Sequence, residues 1–248
     1  MVNQENIAVK AKQLTRKFGD FIATKELTLE VKKGEIFGFL GANGAGKTTA
    51  MRMLCGLLKP SSGEATVAGF DVYKEAEKIK KNIGYMSQKF SLYEDLKVTE
   101  NISLFGGIYG LNRKEIKLKT QNIIEDLNLH SVANKLVRAI PLGWKQKLAF
   151  AVAQVHDPKI IFLDEPTGGV DPLTRRQFWN EIYASADRGL TIFVTTHYMD
   201  EAEYCHRVSI MVDGEVKALG TPRELKNQYQ VNSMDDVFTE LARGTSTK

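Results

Sequence analysis

The nonapeptide GANGAGKTT, Gly41 to Thr49, constrains the fold more than any other part of the sequence. It fits the pattern G-x-x-x-x-G-K-[ST], directly follows the apolar run EIFGFL and directly precedes the helical pattern AMRMLCGLL. In this order of strand, loop and helix, the glycines let backbone N–H groups turn inward around phosphate oxygens. A glycine-rich turn with a chance Lys-Thr pair would not have both neighbours, so the sequence predicts a phosphate-binding loop.

Two side chains at the end of this loop carry specific chemistry. Lys47 is expected to reach the β- and γ-phosphates of a nucleotide, and Thr48 offers its hydroxyl to Mg²⁺. The N-terminus of the following helix adds a positive field. The loop residues predicted to bind the nucleotide are Gly41, Asn43, Gly44, Ala45, Gly46, Lys47, Thr48 and Thr49.

An adjacent pair of carboxylates ends the apolar run IIFLDE. Asp164 is expected to hold Mg²⁺, partly through its water shell, and Glu165 to orient or deprotonate a water. Open α/β sheets bind their ligands at the carboxyl ends of the strands, which is where this pair lies. Alone, the pair is also typical of a polar strand end leading into PTGG. Together with the phosphate loop, it favours nucleotide hydrolysis over nucleotide binding alone.

Composition bounds the class of protein. The 248 residues are 43% hydrophobic and 26% charged, as in a soluble globular protein of one large or two small domains. The formal charge of +4 is spread along the chain, so we expect no nucleic-acid partner. The two cysteines, Cys55 and Cys205, suggest neither a disulfide nor a zinc site. No apolar run approaches the roughly 20 residues of a membrane helix, and MVNQENIAVK has no leader-like apolar region.

Short β-type runs alternate with helical patterns, which predicts the α/β class. Residues 90 to 156 lack a convincing strand and predict a helical insertion into the α/β core, and Asp213-Gly214 predicts a hairpin turn. Asp200, Glu201 and Glu203 are interpreted as a solvated helix face. The predicted strands are Ala8 to Leu14, Leu27 to Val31, Glu35 to Leu40, Asn82 to Met86, Lys159 to Asp164, Leu190 to Thr196 and Arg207 to Val212, and the helical patterns are Lys47 to Leu58, Val98 to Leu129 and Pro172 to Ala186.

The stretch AIPLGWKQKLAF, Ala139 to Phe150, is by itself typical of a helix start. Proline is tolerated in a first helical turn, and Trp144, Leu148 and Ala151 follow at helical spacing. Its residues alone predict an amphipathic helix.

Four motifs taken together resemble the nucleotide-binding domains of ATP-binding cassette (ABC) transporters. They are GANGAGKTT, YMSQ at Tyr85 to Gln88, IIFLDEPTGGVDP, and TTH at Thr195 to His197. The resemblance runs from about Leu14 to Gly220, and TTHYMDEAEYC and the tail DDVFTELARG are most like the ATPase subunits of bacterial ABC-2-type multidrug and polysaccharide exporters. It implies a P-loop NTPase core of ABC ATPase type, with an antiparallel β subdomain and an inserted helical subdomain.

The resemblance also implies a division of the chain. We expect a single domain over residues 1–248, with a catalytic α/β core and β subdomain in 1–89 and 157–220. The helical subdomain would occupy 90–156, and a helical tail 221–248.

Further site residues follow from the resemblance, each with a plainer alternative. Phe18 matches the aromatic that stacks on adenine, but it is also compatible with a core aromatic between strands. Gln88 matches the glutamine that contacts Mg²⁺ and reports γ-phosphate occupancy to the membrane partner, or it is a loop glutamine in solvent.

His197 and Asp171 complete the implied set. His197 matches the histidine that hydrogen-bonds the γ-phosphate and holds the catalytic glutamate, although a lone histidine is more often a surface or core residue, as we expect for His130, His156 and His206. Asp171 matches a loop residue that contacts the opposite subunit, and before Pro172 it is also a good helix N-cap.

The family carries a signature, L-S-G-G-Q, that closes over the γ-phosphate held by the other subunit. The aligned residues here are Ile140, Pro141, Leu142, Gly143 and Trp144, so the signature is altered. Pro141 has neither a hydroxyl nor a backbone donor, and Leu142 replaces a glycine. Losing one charge-assisted hydrogen bond to phosphate would weaken closure by about 1.5–3 kcal/mol. Either two copies of this chain pair, or the chain pairs with a different ATPase half.

The resemblance implies an ATPase subunit that uses ATP and Mg²⁺, dimerises around two ATP molecules and drives a separate integral membrane permease, with export as the direction. It would lie in the cytoplasm, peripheral to the inner face of the cell membrane. Two alternatives stay open at this point: a soluble ABC ATPase acting as a clamp on DNA or ribosomes, and a regulatory cassette that hydrolyses poorly.

Overall fold

The strands form two sheets in a computed structural model that describes residues 6–89 and 91–245. A four-stranded antiparallel sheet has the order β2-β1-β4-β5, and a six-stranded sheet has the order β10-β9-β3-β8-β7-β6. In the second sheet all neighbours are parallel except β9 and β10. The strands are β1 Ile7–Phe18, β2 Phe21–Lys32, β3 Ile36–Leu40, β4 Ser62–Val67, β5 Phe70–Asp71, β6 Ile83–Met86, β7 Ile160–Asp164, β8 Thr191–Thr196, β9 Arg207–Val212 and β10 Glu215–Gly220.

Eight α-helices connect and cover these sheets in the described part of the chain. Three of them, α3 to α5, lie in the sequence between β6 and β7. The helices are α1 Lys47–Leu54, α2 Ala76–Asn82, α3 Val98–Ile108, α4 Arg113–Asp126, α5 Leu142–Ala153, α6 Pro172–Asp187, α7 Pro222–Tyr229 and α8 Met234–Thr245, with two 3₁₀ segments at Val137–Ala139 and Met199–Tyr204. The predicted fold class, an α/β core with an antiparallel β sheet and inserted helices, is confirmed.

The central strands of the larger sheet are buried along their whole length. Every residue of β3, β7 and β8 is buried, as expected for apolar strands with both faces covered. Phe37, Phe39 and Phe162 each pack on Phe193, with ring centroids 5.3–5.5 Å apart. These aromatic contacts fix the three strands against one another.

Parallel pairing places the ends of four strands at one edge of the sheet. Leu40 of β3 lies opposite Thr196 of β8, and Asp164 of β7 lies opposite Thr195. Because the carboxyl ends coincide, the loops that follow β3, β6, β7 and β8 all begin at this edge.

Several predicted element bounds were wrong. β1 and β2 have twelve residues each, longer than the predicted runs, because their outward residues are polar and hide the pattern. The first predicted helix ends at Leu54, before Gly56 with φ +67, and not at Leu58. Gly110, with φ +84, separates α3 from α4 inside the predicted run from Val98 to Leu129. The elements α2, β4 and β5 were not predicted.

The hairpin prediction is confirmed, since β9 and β10 pair antiparallel across Asp213 and Gly214. Both turn residues have positive φ, +48 and +80, as a two-residue hairpin turn requires. Three predictions involve residues outside the described part: the leader-free N-terminus includes residues 1–5, the insertion begins at Phe90, and the tail includes 246–248.

One predicted surface residue is buried. Asp200 and Glu203 are exposed as expected, but the prediction that Glu201 is solvated was wrong, since its side chain is fully buried. The physical reason is that the hydroxyl of Thr167 and the indole of Trp179 donate hydrogen bonds to its carboxylate, which compensates the lost hydration.

Within residues 6–89 and 91–245, no helix combines the length and the apolar content that crossing a membrane requires.

The contact between β6 and α5 generates a stability prediction. A Cβ added to Gly84 of β6 would lie 2.1 Å from the carbonyl oxygen of Ala153 at the end of α5, an atom that cannot move without the helix. We expect Gly84→Ala to lower the free energy of unfolding by about 1–3 kcal/mol, measured by chemical denaturation.

The matched control is Gly107→Ala in α3, where an added Cβ meets nothing within 4 Å. Because alanine is the better helix former, this variant should gain about 0.5–1 kcal/mol. Equal stability of the two variants would contradict the close approach of α5 to β6.

Candidate functional site

The predicted phosphate loop connects β3 to α1 and rests on β2. Gly46 has φ +102, and a Cβ added there would lie 2.2 Å from the carbonyl oxygen of Ala23. Any other residue would clash with this backbone, so glycine is required at this point of the loop. The first turn of α1 contains no acidic residue, so its positive end is not neutralised there.

The Lys47 ammonium lies against the inner side of the loop. Its Nζ donates to the carbonyl oxygens of Gly41 at 2.8 Å and Ala42 at 3.1 Å, and the side chain is 4% exposed. A second, acidic neighbour is Glu165, whose Oε1 lies 3.3 Å from the same nitrogen. The loop therefore holds a buried cation at the start of α1, an arrangement that fits phosphate groups.

A hydroxyl and a carboxylate meet where β7 ends. Thr48 Oγ1 donates to Asp164 Oδ1 at 3.1 Å, and Thr195 Oγ1 donates to the same oxygen at 2.8 Å. No group of three or more His, Cys, Asp and Glu among the described residues forms a metal site. Mg²⁺ binds through one or two carboxylates together with waters and substrate phosphates, so Thr48 and Asp164 fit it as partial ligands.

Tyr85 is a neighbour of this pair that the sequence reasoning missed. Its hydroxyl lies 3.5 Å from Asp164 Oδ2. Burial, followed by the charge of Asp164, raises the pKa of Tyr85 to about 12. The phenol therefore stays protonated at neutral pH and can donate to the carboxylate. The only available signal was its place in the motif YMSQ, at the end of a strand.

Three predicted residues converge on Glu165, which is 9% exposed. Besides Lys47 at Oε1, the amide nitrogen of Gln88 donates to Oε2 at 3.0 Å, although Gln88 as a whole is exposed. His197 Nδ1 lies 3.1 Å from Oε2, at ion-pair distance but without the alignment of a hydrogen bond. The end of β7 thus receives side chains from α1 and from the segments after β6 and β8.

The backbone of Glu165 is in the left-handed region, with φ +48. For a residue other than glycine this costs about 1–3 kcal/mol and persists only where its surroundings hold it. Here the Glu165 N–H donates to both the hydroxyl and the carbonyl oxygen of Thr195, at 3.0 and 3.1 Å. Thr195 was not predicted either, because its partner Asp164 lies on another strand.

Phe18 lies at the end of β1 and is 48% exposed as a residue, so the alternative of a core aromatic was wrong. The guanidinium of Arg16 lies 4.5 Å from the ring centroid, and its Nη1 donates to the carbonyl oxygen of Lys59. The exposed aromatic ring is compatible with the stacking expected from the resemblance.

The altered signature and Asp171 form a second group. We expected Pro141 inside the first turn of a helix. It lies instead immediately before α5, which begins at Leu142. Asp171 caps α6 by accepting from the N–H groups of Leu173 and Thr174, both at 3.0 Å. The Thr174 hydroxyl also donates to it, and these bonds hold the pKa of Asp171 below its usual range.

A cleft of about 620 Å³ lies between the altered signature and the segment around Asp171. Gly143 lies close to α6, since an added Cβ would come within 3.0 Å of Thr174 Cγ2. No hydrogen bond or ion pair within residues 6–89 and 91–245 joins the side chains of this group to Lys47, Glu165 or His197. Residues that line the cleft include Pro141, Leu142, Trp144, Gly169, Asp171 and Thr174.

Comparison with known proteins decides the family. The family model described as "ABC transporter" matches residues 24–168, more than half of the chain, including the phosphate loop and the Asp164-Glu165 strand. The chain belongs to the ABC transporter family. Its fold is that of the ATP-binding cassette ATPases of this family.

Relatives and solved structures agree with this assignment. The chain is 49% identical, over 94% of its length, to the probable multidrug ABC transporter ATP-binding protein YbhF of Escherichia coli, but it spans only 40% of YbhF. It is 35% identical to the daunorubicin resistance ATP-binding protein DrrA3 of Streptomyces coeruleorubidus, over 92% of this chain and 72% of that protein.

Among solved structures, the dimeric ATP-binding cassette MJ0796, in a post-hydrolysis state bound to ADP and Pi, is similar to the chain with a TM-score of 0.77. The identity is 27%, over 86% of this chain and 98% of that one. The first of these relatives is named as the ATP-binding protein of a transporter, and the solved structure as an ATP-binding cassette.

The double role of Thr195 generates a prediction. Thr195→Val removes the hydroxyl that donates to Asp164 and accepts from the N–H of Glu165, and it leaves both groups buried. We expect the free energy of unfolding to fall by about 1–3 kcal/mol in chemical denaturation. Thr195→Ser keeps the hydroxyl and should lose clearly less. If valine and serine variants unfold at the same denaturant concentration, the hydroxyl does not hold the Glu165 backbone.

Proposed function

We propose that this chain binds Mg-ATP, hydrolyses it and drives a separate integral membrane permease as the ATPase subunit of an ABC-2-type exporter. The observation that carries the proposal is the convergence of Lys47, Gln88 and His197 on Glu165, next to the Thr48–Asp164 pair. The names of YbhF and DrrA3 support drug export as the kind of work performed. The proposed location is the cytoplasmic face of the cell membrane, reached through the permease.

Phosphate binding in this proposal uses groups that already lie together. The N–H groups of the loop and the Lys47 ammonium would bind the β- and γ-phosphates, while Phe18 stacks on adenine. Thr48 and Asp164 would hold Mg²⁺, with Gln88 as a further contact partly through water. The metal supplies neutralisation of phosphate charge when bound.

Hydrolysis then depends on the carboxylate of Glu165. As Lys47 turns to phosphate, Glu165 is free to orient a water and to accept its proton at one carboxylate oxygen. Gln88 donates to the other oxygen, which fixes the direction of the carboxylate, and His197 lies 3.1 Å from that same oxygen. His197 would also contact the γ-phosphate. Thr195 anchors the N–H of Glu165 and so keeps its strained backbone in place.

The second group would complete the site of a second copy of the chain. Pro141, Leu142, Gly143, Trp144 and Asp171 line one cleft, apart from Lys47 and Glu165 of their own chain. The N-terminus of α5 still offers N–H groups and a positive field to a phosphate, despite Pro141. The dimeric state of the similar cassette MJ0796 supports this arrangement.

The proposed division of labour follows the chain. Residues 1–89 and 157–220 would form the catalytic core with its β subdomain, and 221–248 a helical tail. The helical subdomain, 90–156, begins two residues after Gln88 in the sequence, and we propose that the permease docks beside this junction. Closing and opening of the dimer would reach the membrane protein by this route.

Turnover of Glu165→Gln tests the catalytic base. We expect the variant to bind Mg-ATP with wild-type affinity in calorimetry and to lose at least about 100-fold in kcat, because the amide cannot accept the water's proton. Glu77→Gln, an exposed change on α2, is the control and should turn over normally. Normal steady-state turnover by Glu165→Gln would exclude it as the base, and a wild-type chain without turnover would favour a regulatory cassette.

The mass of Glu165→Gln with and without Mg-ATP tests the pairing. We expect light scattering to give twice the 27.8 kDa of the single chain with Mg-ATP, and the single-chain mass without it. Blocked hydrolysis keeps the closed state populated, since nothing reopens it. A chain that binds ATP yet stays monomeric would contradict the homodimer and point to a different ATPase half.

A further inference from the structure

Glu201 lies in the 3₁₀ segment that follows His197, and the hydrolysis proposed above does not use it. Its side chain is fully buried, and a single oxygen, Oε1, accepts two hydrogen bonds. The donors are Thr167 Oγ1 at 2.7 Å and Trp179 Nε1 at 3.2 Å. Thr167 is two residues after Glu165, so the carboxylate connects the loop after β7 to the segment after β8.

A second connection runs through Arg175 of α6. Its guanidinium carbon lies 3.9 Å from the ring centroid of Tyr198, directly after His197, and its Nε lies 3.7 Å from Glu201 Oε1. The backbone N–H of Arg175 donates to the carbonyl oxygen of Asp171, the residue that caps the helix. The helix that Asp171 caps is thereby fastened to the residues next to His197.

The same loop is held from its other side by α5. Gln146 is fully buried, and its Nε2 donates to the carbonyl oxygen of Pro166 at 2.7 Å. Two consecutive loop residues, Pro166 and Thr167, are therefore bound to two different elements. The segment from Pro166 to Asp171 has little freedom to move independently of either.

Burying a carboxylate costs free energy, because the charged group loses its hydration. An apolar side chain of similar volume packs as well without losing hydration, so burial alone does not explain the residue. What the carboxylate adds is direction, because its oxygen fixes the positions of the Thr167 hydroxyl and the Trp179 indole at once.

We infer that Glu201 is a positioning residue for hydrolysis: by binding Thr167 and Trp179, it holds the loop from Pro166 to Asp171 in register with His197. Glu165 immediately precedes this loop and Asp171 ends it. A displacement of the loop would therefore shift Glu165, His197 and Asp171 together. The inference rests on the proposed function, since the turnover it concerns is that of ATP.

Two pairs of variants test the hydrogen bonds. Thr167→Val and Glu201→Leu remove the donor and the acceptor, whereas Thr167→Ser and Glu201→Gln keep a hydroxyl and an oxygen at the same places. The glutamine amide group would replace Oε2, which has no hydrogen-bond partner among the described residues. Glu203→Leu is the control, since Glu203 is exposed and pairs with Lys226. If Glu201→Leu fails to fold, Thr167→Val carries the test.

We expect kcat for ATP to fall about tenfold in Thr167→Val and Glu201→Leu, because the loop is no longer held where the transition state needs it. The Kd for ATP, measured by calorimetry, should stay within about threefold, since neither residue touches the phosphate loop. The serine, glutamine and Glu203→Leu variants should stay within about twofold of wild-type kcat. A general loss of stability would not lower kcat while leaving the Kd for ATP unchanged, so this pattern distinguishes a positioning role from a structural one.

Three outcomes would overturn the inference. They are a folded Thr167→Val with wild-type kcat, a loss of ATP affinity with unchanged kcat, and a Glu201→Gln as impaired as Glu201→Leu, which would assign the effect to charge. If the wild-type chain does not hydrolyse ATP, the proposed function fails by itself. Hydrogen exchange then decides: Thr167→Val should speed exchange in residues 166–171 and 196–201 while Glu203→Leu does not, and unchanged exchange overturns the positioning role.

Discussion

The parallel pairing of β7 with β8 is the contact on which the candidate site depends. It sets Asp164 opposite Thr195, so that one threonine hydroxyl reaches both the Asp164 carboxylate and the N–H of Glu165. A slip of one residue in β7 would turn the Asp164 carboxylate to the opposite face of the sheet. The buried aromatic rings around Phe193 resist such a slip, and the packing of the core therefore determines the geometry of the chemistry.

Charge is concentrated where this sheet edge meets α1. A lysine that is 4% exposed and a glutamate that is 9% exposed lie 3.3 Å apart, with a second carboxylate bound to hydroxyl groups nearby. Each charged group has a partner of opposite charge or a set of donors, which is what burial demands. Under the proposed function, an arriving phosphate would exchange with partners that are already in place, and little reorganisation of the protein would be needed.

The sequence was sufficient to predict the structure where all the residues of a motif are neighbours in the chain. The phosphate loop, for example, has its strand, glycines and helix within a few consecutive residues, and the hairpin at Asp213-Gly214 depends on two adjacent backbone angles. Glu201 could not be placed in this way. MDEAEY offers several carboxylates, and only the distant donors Thr167 and Trp179 determine which one turns inward. Thr195 and Tyr85 escaped notice for the same reason, since their partner Asp164 lies on another strand.

The chain has two tryptophans, one on α6 and one across the cleft that this helix lines. Trp144 lines the cleft that Thr174 of this helix also lines, and Trp179, on the helix itself, is 1% exposed and bonded to Glu201. Indole emission depends on polarity and on hydrogen bonding, so the unlabelled chain has one optical reporter in an open cleft and another in the interior. The wavelength of its ultraviolet emission would consequently report any change in the surroundings of α6, with no added dye.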